Sequence, residues 1–203
     1  LIKNELVNRD KKNTVMLSGK FTDIETIYSS KKFCEKLGSK YFDCRFDNAQ
    51  FIQNAPESYK FNSSIQHIEN ADAILLVGSN PRWEAAVLNA RIRKAYIENN
   101  CKIGLIGPRI DLTYKYEHLS DSLEYLNLLN DKSDFGKILK NSKNPLIILG
   151  TSAINNENGS DVLQSCAYLA KKIQKNKNVN PLNILNQDIS RVGALELKFY
   201  NNT

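Results

Sequence analysis

The chain has 203 residues, 41% hydrophobic and 25% charged, with a net charge of +6; this is enough apolar material for a sizeable core and excludes a disordered or fibrous polymer. Lys and Arg are spread along the whole length instead of clustering, which speaks against nucleic acid as a partner and leaves acidic partners or an anionic surface. No run approaches the roughly 18 apolar residues of a membrane span, and the opening LIKNELVNRDKKN is too short in its apolar part for a signal peptide. Lacking an initiator Met, residues 1–13 read as an N-terminal extension of a processed or truncated piece. A main domain is expected over 14–176, and 177–203 as a C-terminal segment packing on it or on a partner.

Four short apolar runs share one design: VMLSG ending at Gly19, ILLVG at Gly78, IGLIG at Gly107 and LIILG at Gly150. They are apolar on both faces, as buried parallel strands require. A first helix is expected over about 23–37, and helical patterns fill much of the sequence between the runs. Alternating strands and helices predict an α/β fold, a doubly wound, mainly parallel sheet with helices on both faces and these four runs as neighbours. The four glycines then mark the carboxyl edge, where open α/β sheets bind ligands.

Between the first two runs, residues 42–64 have little periodicity and read as a long irregular connection. After Gly78, Asn80 and Pro81 form a helix start, Asn as cap and Pro at the first position, with the helix running to about Asn99. Ala85, Leu88, Ile92, Ala95 and Tyr96 line one flank; Trp83, Val87, Ala90 and Ile97 line another, so one flank is expected against the sheet and the other against a second layer, domain or subunit. Arg82, Asn89 and Arg93 share one polar stripe, Glu84 and Arg91 the other. The arginines fit salt bridges and carbonyl contacts; the sharper alternative is an anion held at the helix start by free N–H groups and Arg82. In PRIDLTYKYEHLSD, the alternating Tyr114, Tyr116 and His118 suggest an extended segment laid across a neighbour. NENGSD, 156–161, reads as a loop and helix cap without a phosphate-binding Lys. Past Asn176 a polar run, NKNVNPLN, leads to a short apolar end.

Cys34, Cys44, Cys101 and Cys166 stand far apart without a CxxC, which argues against zinc or an iron–sulfur cluster on this chain alone and fits a reducing compartment. Cys44 lies beside Arg45, whose charge could lower its pKa, although a lone loop cysteine is more often inert. His67 and His118 read as structural. Spacing alone nominates no acid–base pair or triad.

GSNPRWEAAVLNARIRKAYIEN, KIGLIG, DLTYKYEHL, KNPLIILGTSAI, NGSDVLQSCAYLAKKI and NPLNILNQDISRVGALEL together resemble the C-terminal half of the large iron–sulfur subunit family of respiratory complex I, the 75 kDa subunit of NADH:ubiquinone oxidoreductase. The likeness covers the chain from about Thr14 onward. That half is itself similar to the catalytic domain of molybdopterin oxidoreductases, whose Gly-x-Asn-Pro loop contacts the dinucleotide end of the cofactor. Gly78, Asn80 and Pro81 are the relic of that loop, but Trp83 and Glu84 put bulk and negative charge where a phosphate would lie. Cys44 falls near the position of the family's metal ligand, without its His, Gly and Pro setting.

The resemblance implies a non-catalytic structural or assembly portion of the complex I peripheral arm, with Arg82, Trp83, Glu84, Arg91 and Arg93 in structural or interaction roles. It implies no cofactor and no metal on this chain, because the family's iron–sulfur clusters sit in the N-terminal half, here expected on a partner chain. The expected partners are peripheral-arm subunits, at the matrix side of the mitochondrial inner membrane or at the cytoplasmic face of a bacterial one. The alternatives are a fragment of an active molybdopterin or nucleotide-binding oxidoreductase, and a free-standing nucleotide-binding regulator.

Overall fold

The computed structural model describes residues 2–8, 14–129 and 133–201. Of the expected extension 1–13, Leu1 and residues 9–13 lie outside the described residues, and Ile2–Asn8 form helix α1. The chain divides into two compact units, Leu1–Asn48 with Asp188–Thr203, and Ala49–Gln187.

In the first unit, strand β1 (Val15–Leu17) pairs in parallel with β2 (Tyr41–Asp43), and helix α2 (Ile24–Leu37) joins them. Asp23 caps α2 by accepting from the Thr26 N–H at 2.7 Å, and Gly38 ends it in the left-handed region at φ 77°. Two expectations are corrected here. The run ending at Gly19 is not a neighbour of the other three: β1 is three residues long, and Val15 and Leu17 are exposed, so it is not a strand buried on both faces. Tyr41–Asp43 form a strand where 42–64 was expected to be irregular; at three residues it is too short to show a period.

The second unit holds, in order, β3 (Ala73–Val77), α3 (Pro81–Glu84), α4 (Ala86–Glu98), β4 (Lys102–Ile106), β5 (Glu117–Ser120), α5 (Asp134–Asn141), β6 (Pro145–Gly150), α6 (Gly159–Ile173) and β7 (Leu182–Leu185). The strands form one parallel sheet in the order β5-β4-β3-β6-β7. Side chains alternate across β3 and build two core layers. Leu75 and Val77 pack with Phe135, Leu139, Leu163 and Cys166 from α5 and α6. Ile74 and Leu76 pack with Leu88, Ile92 and Ala95 from α4. This is the doubly wound α/β architecture expected from the runs ending at Gly78, Gly107 and Gly150. Because β3 leads to β4 on one side while β6 leads to β7 on the other, the winding reverses between β3 and β6.

Strand β7 carries a fully buried Asn183, whose side-chain oxygen accepts from the Ser63 N–H at 2.8 Å and hydroxyl at 2.7 Å. Phe61 bridges antiparallel to Asn183, and the Ile184 N–H donates to the Lys60 carbonyl at 3.0 Å, so this segment covers the sheet's edge.

Returning to the first unit, helix α7 (Arg191–Glu196) places the Arg191 guanidinium against Asp47 at 2.7 Å and Asp188 at 2.5 Å. Phe199, fully buried, packs on Phe42 with ring centroids 5.1 Å apart.

Candidate functional site at the carboxyl edge of the sheet

In a doubly wound sheet the ligand crevice opens where the winding reverses, here between the ends of β3 and β6. In this unit the backbones at those two strand ends pack closely. Gly78 turns at φ 50°, and a side-chain carbon on Gly150 would sit 2.2 Å from the Gly78 carbonyl oxygen. One on Gly78 would meet the Ala153 side chain at 2.5 Å. The Ser152 hydroxyl donates to the Gly78 carbonyl at 2.6 Å and fastens the two loops together.

The turn after Gly78 narrows the remaining space. Instead of one helix from Pro81 to Asn99, the chain breaks at Ala85 (φ −154°, ψ 70°) into α3 and α4. Asn80 precedes Pro81 as expected but makes no side-chain cap; its side-chain oxygen is buried without a partner. The Glu84 carboxylate takes the capping role by accepting from the Asn80 N–H at 3.1 Å and the Ser79 hydroxyl at 3.3 Å. A cavity of about 130 Å³ remains, lined by Gly78, Asn80, Glu84, Gly107, Pro108 and Ser152 among others. Small-molecule sites usually measure about 300–1,000 Å³.

Trp83 does not add bulk to this cleft: it is 82% exposed and is not among the residues lining the cavity. The second flank, Trp83, Val87, Ala90 and Ile97, is exposed on this chain. Only the flank containing Leu88, Ile92 and Ala95 is buried.

The polar stripe of this helix pair clamps the loop after β4. Arg82 binds the Asp111 carboxylate and donates to its carbonyl at 3.3 Å. Asn89 accepts from the Tyr114 hydroxyl at 2.8 Å, and Arg93 reaches the Thr113 carbonyl at 3.4 Å. The Thr113 N–H, followed by Arg82, holds the Asp111 carboxyl below the usual range. The Tyr116 hydroxyl donates to the Ile110 carbonyl at 2.6 Å and accepts from its N–H at 3.0 Å. His118 lies on β5, with Nε2 2.9 Å from the Gly107 carbonyl oxygen. On the other stripe, Arg91 and Lys94 share the Glu69 carboxylate, which Lys94's hydrogen bond holds below its ordinary pKa.

Cys44 belongs to the first unit, directly after β2, and is buried. Burial pushes its thiol up to about 11, outweighing the pull of Arg191 and Arg45, so Arg45 does not make it reactive. Arg45 is instead forked onto Asp43 at 3.0 and 2.7 Å. All four cysteines are free and buried. Among the described residues, no group of three or more His, Cys, Asp or Glu is arranged to hold a metal ion, and no helix is long and apolar enough to cross a membrane.

Sequence reasoning placed negative charge at Glu84 but missed its backbone partner, and it missed Ser79 and Ser152 altogether. A carboxylate four residues after an Asn-Pro turn was the one available signal.

Comparison with known proteins agrees with this architecture. The molybdopterin oxidoreductase family model matches residues 1–203. The chain is 35% identical over 190 residues to the mitochondrial NADH-ubiquinone oxidoreductase 78 kDa subunit of Neurospora crassa, covering 90% of this chain and 25% of that protein. It is 35% identical over 189 residues to the mitochondrial NADH dehydrogenase [ubiquinone] iron-sulfur protein 1 of Solanum tuberosum, with coverage of 90% and 25%. Against the NADH-ubiquinone oxidoreductase 75 kDa subunit of Reclinomonas americana it is 33% identical over 216 residues, with coverage of 97% and 31%. The chain therefore spans about a quarter to a third of the length of these relatives. By the family model matched over its whole length, and by a parallel sheet with a Gly-x-Asn-Pro turn at its carboxyl edge, this chain belongs to the molybdopterin oxidoreductase family.

Proposed function

We propose that this chain is a non-catalytic structural portion of the peripheral arm of respiratory complex I, on the matrix side of the mitochondrial inner membrane. Its partners on this reading are other peripheral-arm subunits, above all the polypeptide that carries the iron–sulfur clusters. Support for the assembly comes from the relatives, which are named as NADH-ubiquinone oxidoreductase subunits. Support for the lack of catalysis comes from one contact, the Glu84 carboxylate on the Asn80 N–H at 3.1 Å.

The residues at the strand ends do not fit a pterin dinucleotide. Such a ligand is multiply anionic and needs free N–H donors and an open cleft. Here the Asn80 donor faces a carboxylate of the chain itself, and Gly78 and Gly150 meet backbone to backbone. Cys44, the one residue near the family's metal-ligand position, is buried as a neutral thiol. The runner-up, a fragment of an active molybdopterin oxidoreductase, is favoured by the family match.

Metal analysis of the assembly purified through this chain separates the two. Co-migration with NADH dehydrogenase activity, without stoichiometric molybdenum or tungsten, supports the structural role. Either metal at one per chain, lost in Cys44→Ala, establishes the runner-up.

A further inference from the structure

The donors around the small cavity at the carboxyl edge are spent within the chain. The Asn80 N–H and the Ser79 hydroxyl go to Glu84, and the Ser152 hydroxyl goes to the Gly78 carbonyl. The Gly78 and Gly107 N–H groups donate to the carbonyls of Ile106 and Ser120, and the Ile110 N–H donates to the Tyr116 hydroxyl. Pro108 has no N–H to give.

What these lining residues leave over is acceptor capacity. The Asn80 side-chain oxygen is buried without a partner. The Glu84 carboxylate is half-buried, and both of its partners are neutral donors. Among the described residues it is in no ion pair, and Arg82, two positions earlier, is committed to Asp111. A buried carbonyl oxygen and a partly buried carboxylate both cost stability when nothing positive answers them.

We propose that this cavity binds one monovalent metal ion of about the size of potassium, held by the Glu84 carboxylate and the Asn80 side-chain oxygen, with water completing its shell. One carboxylate supplies one negative charge, which balances a single positive one. Calcium draws about six to eight oxygens, carboxylates among them, and magnesium needs a near-ideal octahedron, whereas neutral oxygens suffice to replace the water around potassium. The volume of about 130 Å³ takes such an ion with a few waters, each of which fills about 30 Å³ in the liquid. An anion would meet Glu84 and find those donors already engaged. The site depends on these side chains alone, so it stands whether or not the chain joins complex I.

Thermal melts of the purified full chain test this, in potassium, sodium, ammonium or choline chloride at equal ionic strength. Potassium should raise the midpoint by about 2–4 °C over choline, whose methyl-shielded charge cannot approach the two oxygens closely. The rise should saturate with concentration, as binding does. Glu84→Gln, which keeps an acceptor for the Asn80 N–H, should lose the rise, and Asn80→Ala should need about tenfold more potassium to reach it. Thallium(I) soaked into crystals of the wild-type chain should give an anomalous peak between Glu84 and Asn80, a readout that holds even if a variant fails to fold. Equal midpoints in potassium and choline, a rise that persists in Glu84→Gln, or no thallium peak in the cavity overturns the proposal. So does a larger rise in sodium, which excludes the size, or in ammonium, which points to an N–H donor in place of a metal ion.

Discussion

Glu84 and Asn80 are joined within one turn, the carboxylate of the first accepting from the backbone N–H of the second at 3.1 Å. The Ser79 hydroxyl donates to the same carboxylate at 3.3 Å. The chain thus provides its own anion at the turn on the carboxyl edge of the sheet, the edge where open α/β sheets bind ligands. Glu84→Ala should cost about 1–2 kcal/mol, because a half-buried N–H and a buried hydroxyl lose their acceptor. Urea unfolding measures this. An unchanged midpoint would mean that Glu84 does not hold the turn.

The glycines at the ends of β6 and β1 should behave in opposite ways. In Gly150→Ala the new carbon lies 2.2 Å from the Gly78 oxygen and 3.0 Å from the Ser79 Cα, both backbone atoms that cannot swing aside. A loss of about 3 kcal/mol or more is expected. Gly19→Ala meets only the Thr22 hydroxyl oxygen at 3.6 Å and should stay within about 0.5 kcal/mol. Thermal melts of the two variants beside wild type check the contrast.

Thiol chemistry should report burial. Cys44 is pushed up to about 11, and Cys101 and Cys166 to about 12, in each case first by burial, from an ordinary value of 9.0. The folded chain should resist alkylation at pH 8 and react fully only when unfolded. The linkage has a definite sign. The folded state holds these protons more tightly than the unfolded one, so the contribution is complete below pH 9. It is lost as pH rises through 9 toward 11–12. Unfolding midpoints that stay level between pH 8.5 and 10.5 would contradict it.

Asn183→Leu should destabilise the second unit by about 2–4 kcal/mol although it makes β7 more apolar. The Ser63 N–H and hydroxyl would be left buried without their acceptor, and the segment at Phe61 would lose its tie to the sheet edge. Hydrogen exchange at Ser63 should rise before exchange across β3. Protection at Ser63 equal to wild type would refute this.

What local chemistry dictates could be read directly. The runs at β3, β4 and β6 are apolar on both faces, so their burial in one parallel sheet follows from composition alone. A helix was expected over about 23–37, and α2 runs from Ile24 to Leu37 between the caps Asp23 and Gly38. Strand β7 was hidden because its centre is Asn183, a polar residue that becomes a core residue only when Ser63, 120 positions earlier, supplies the donors. The alternating Tyr114, Tyr116 and His118 suggested an extended segment, and β5 forms at their end beside β4, but the partners of the three rings, Asn89, Ile110 and Gly107, lie on other segments and could not be read. The break at Ala85 has neither Gly nor Pro to announce it, and the periodicity of Trp83, Val87 and Ile97 shows a flank without saying what covers it. Likewise, the sign of Glu84's charge is written in the sequence, but its direction is not. Side-chain type sets what a residue must satisfy, such as burial, charge or a hydrogen bond. Which atom satisfies it depends on the meeting of segments far apart in the chain, and only the tertiary structure decides that.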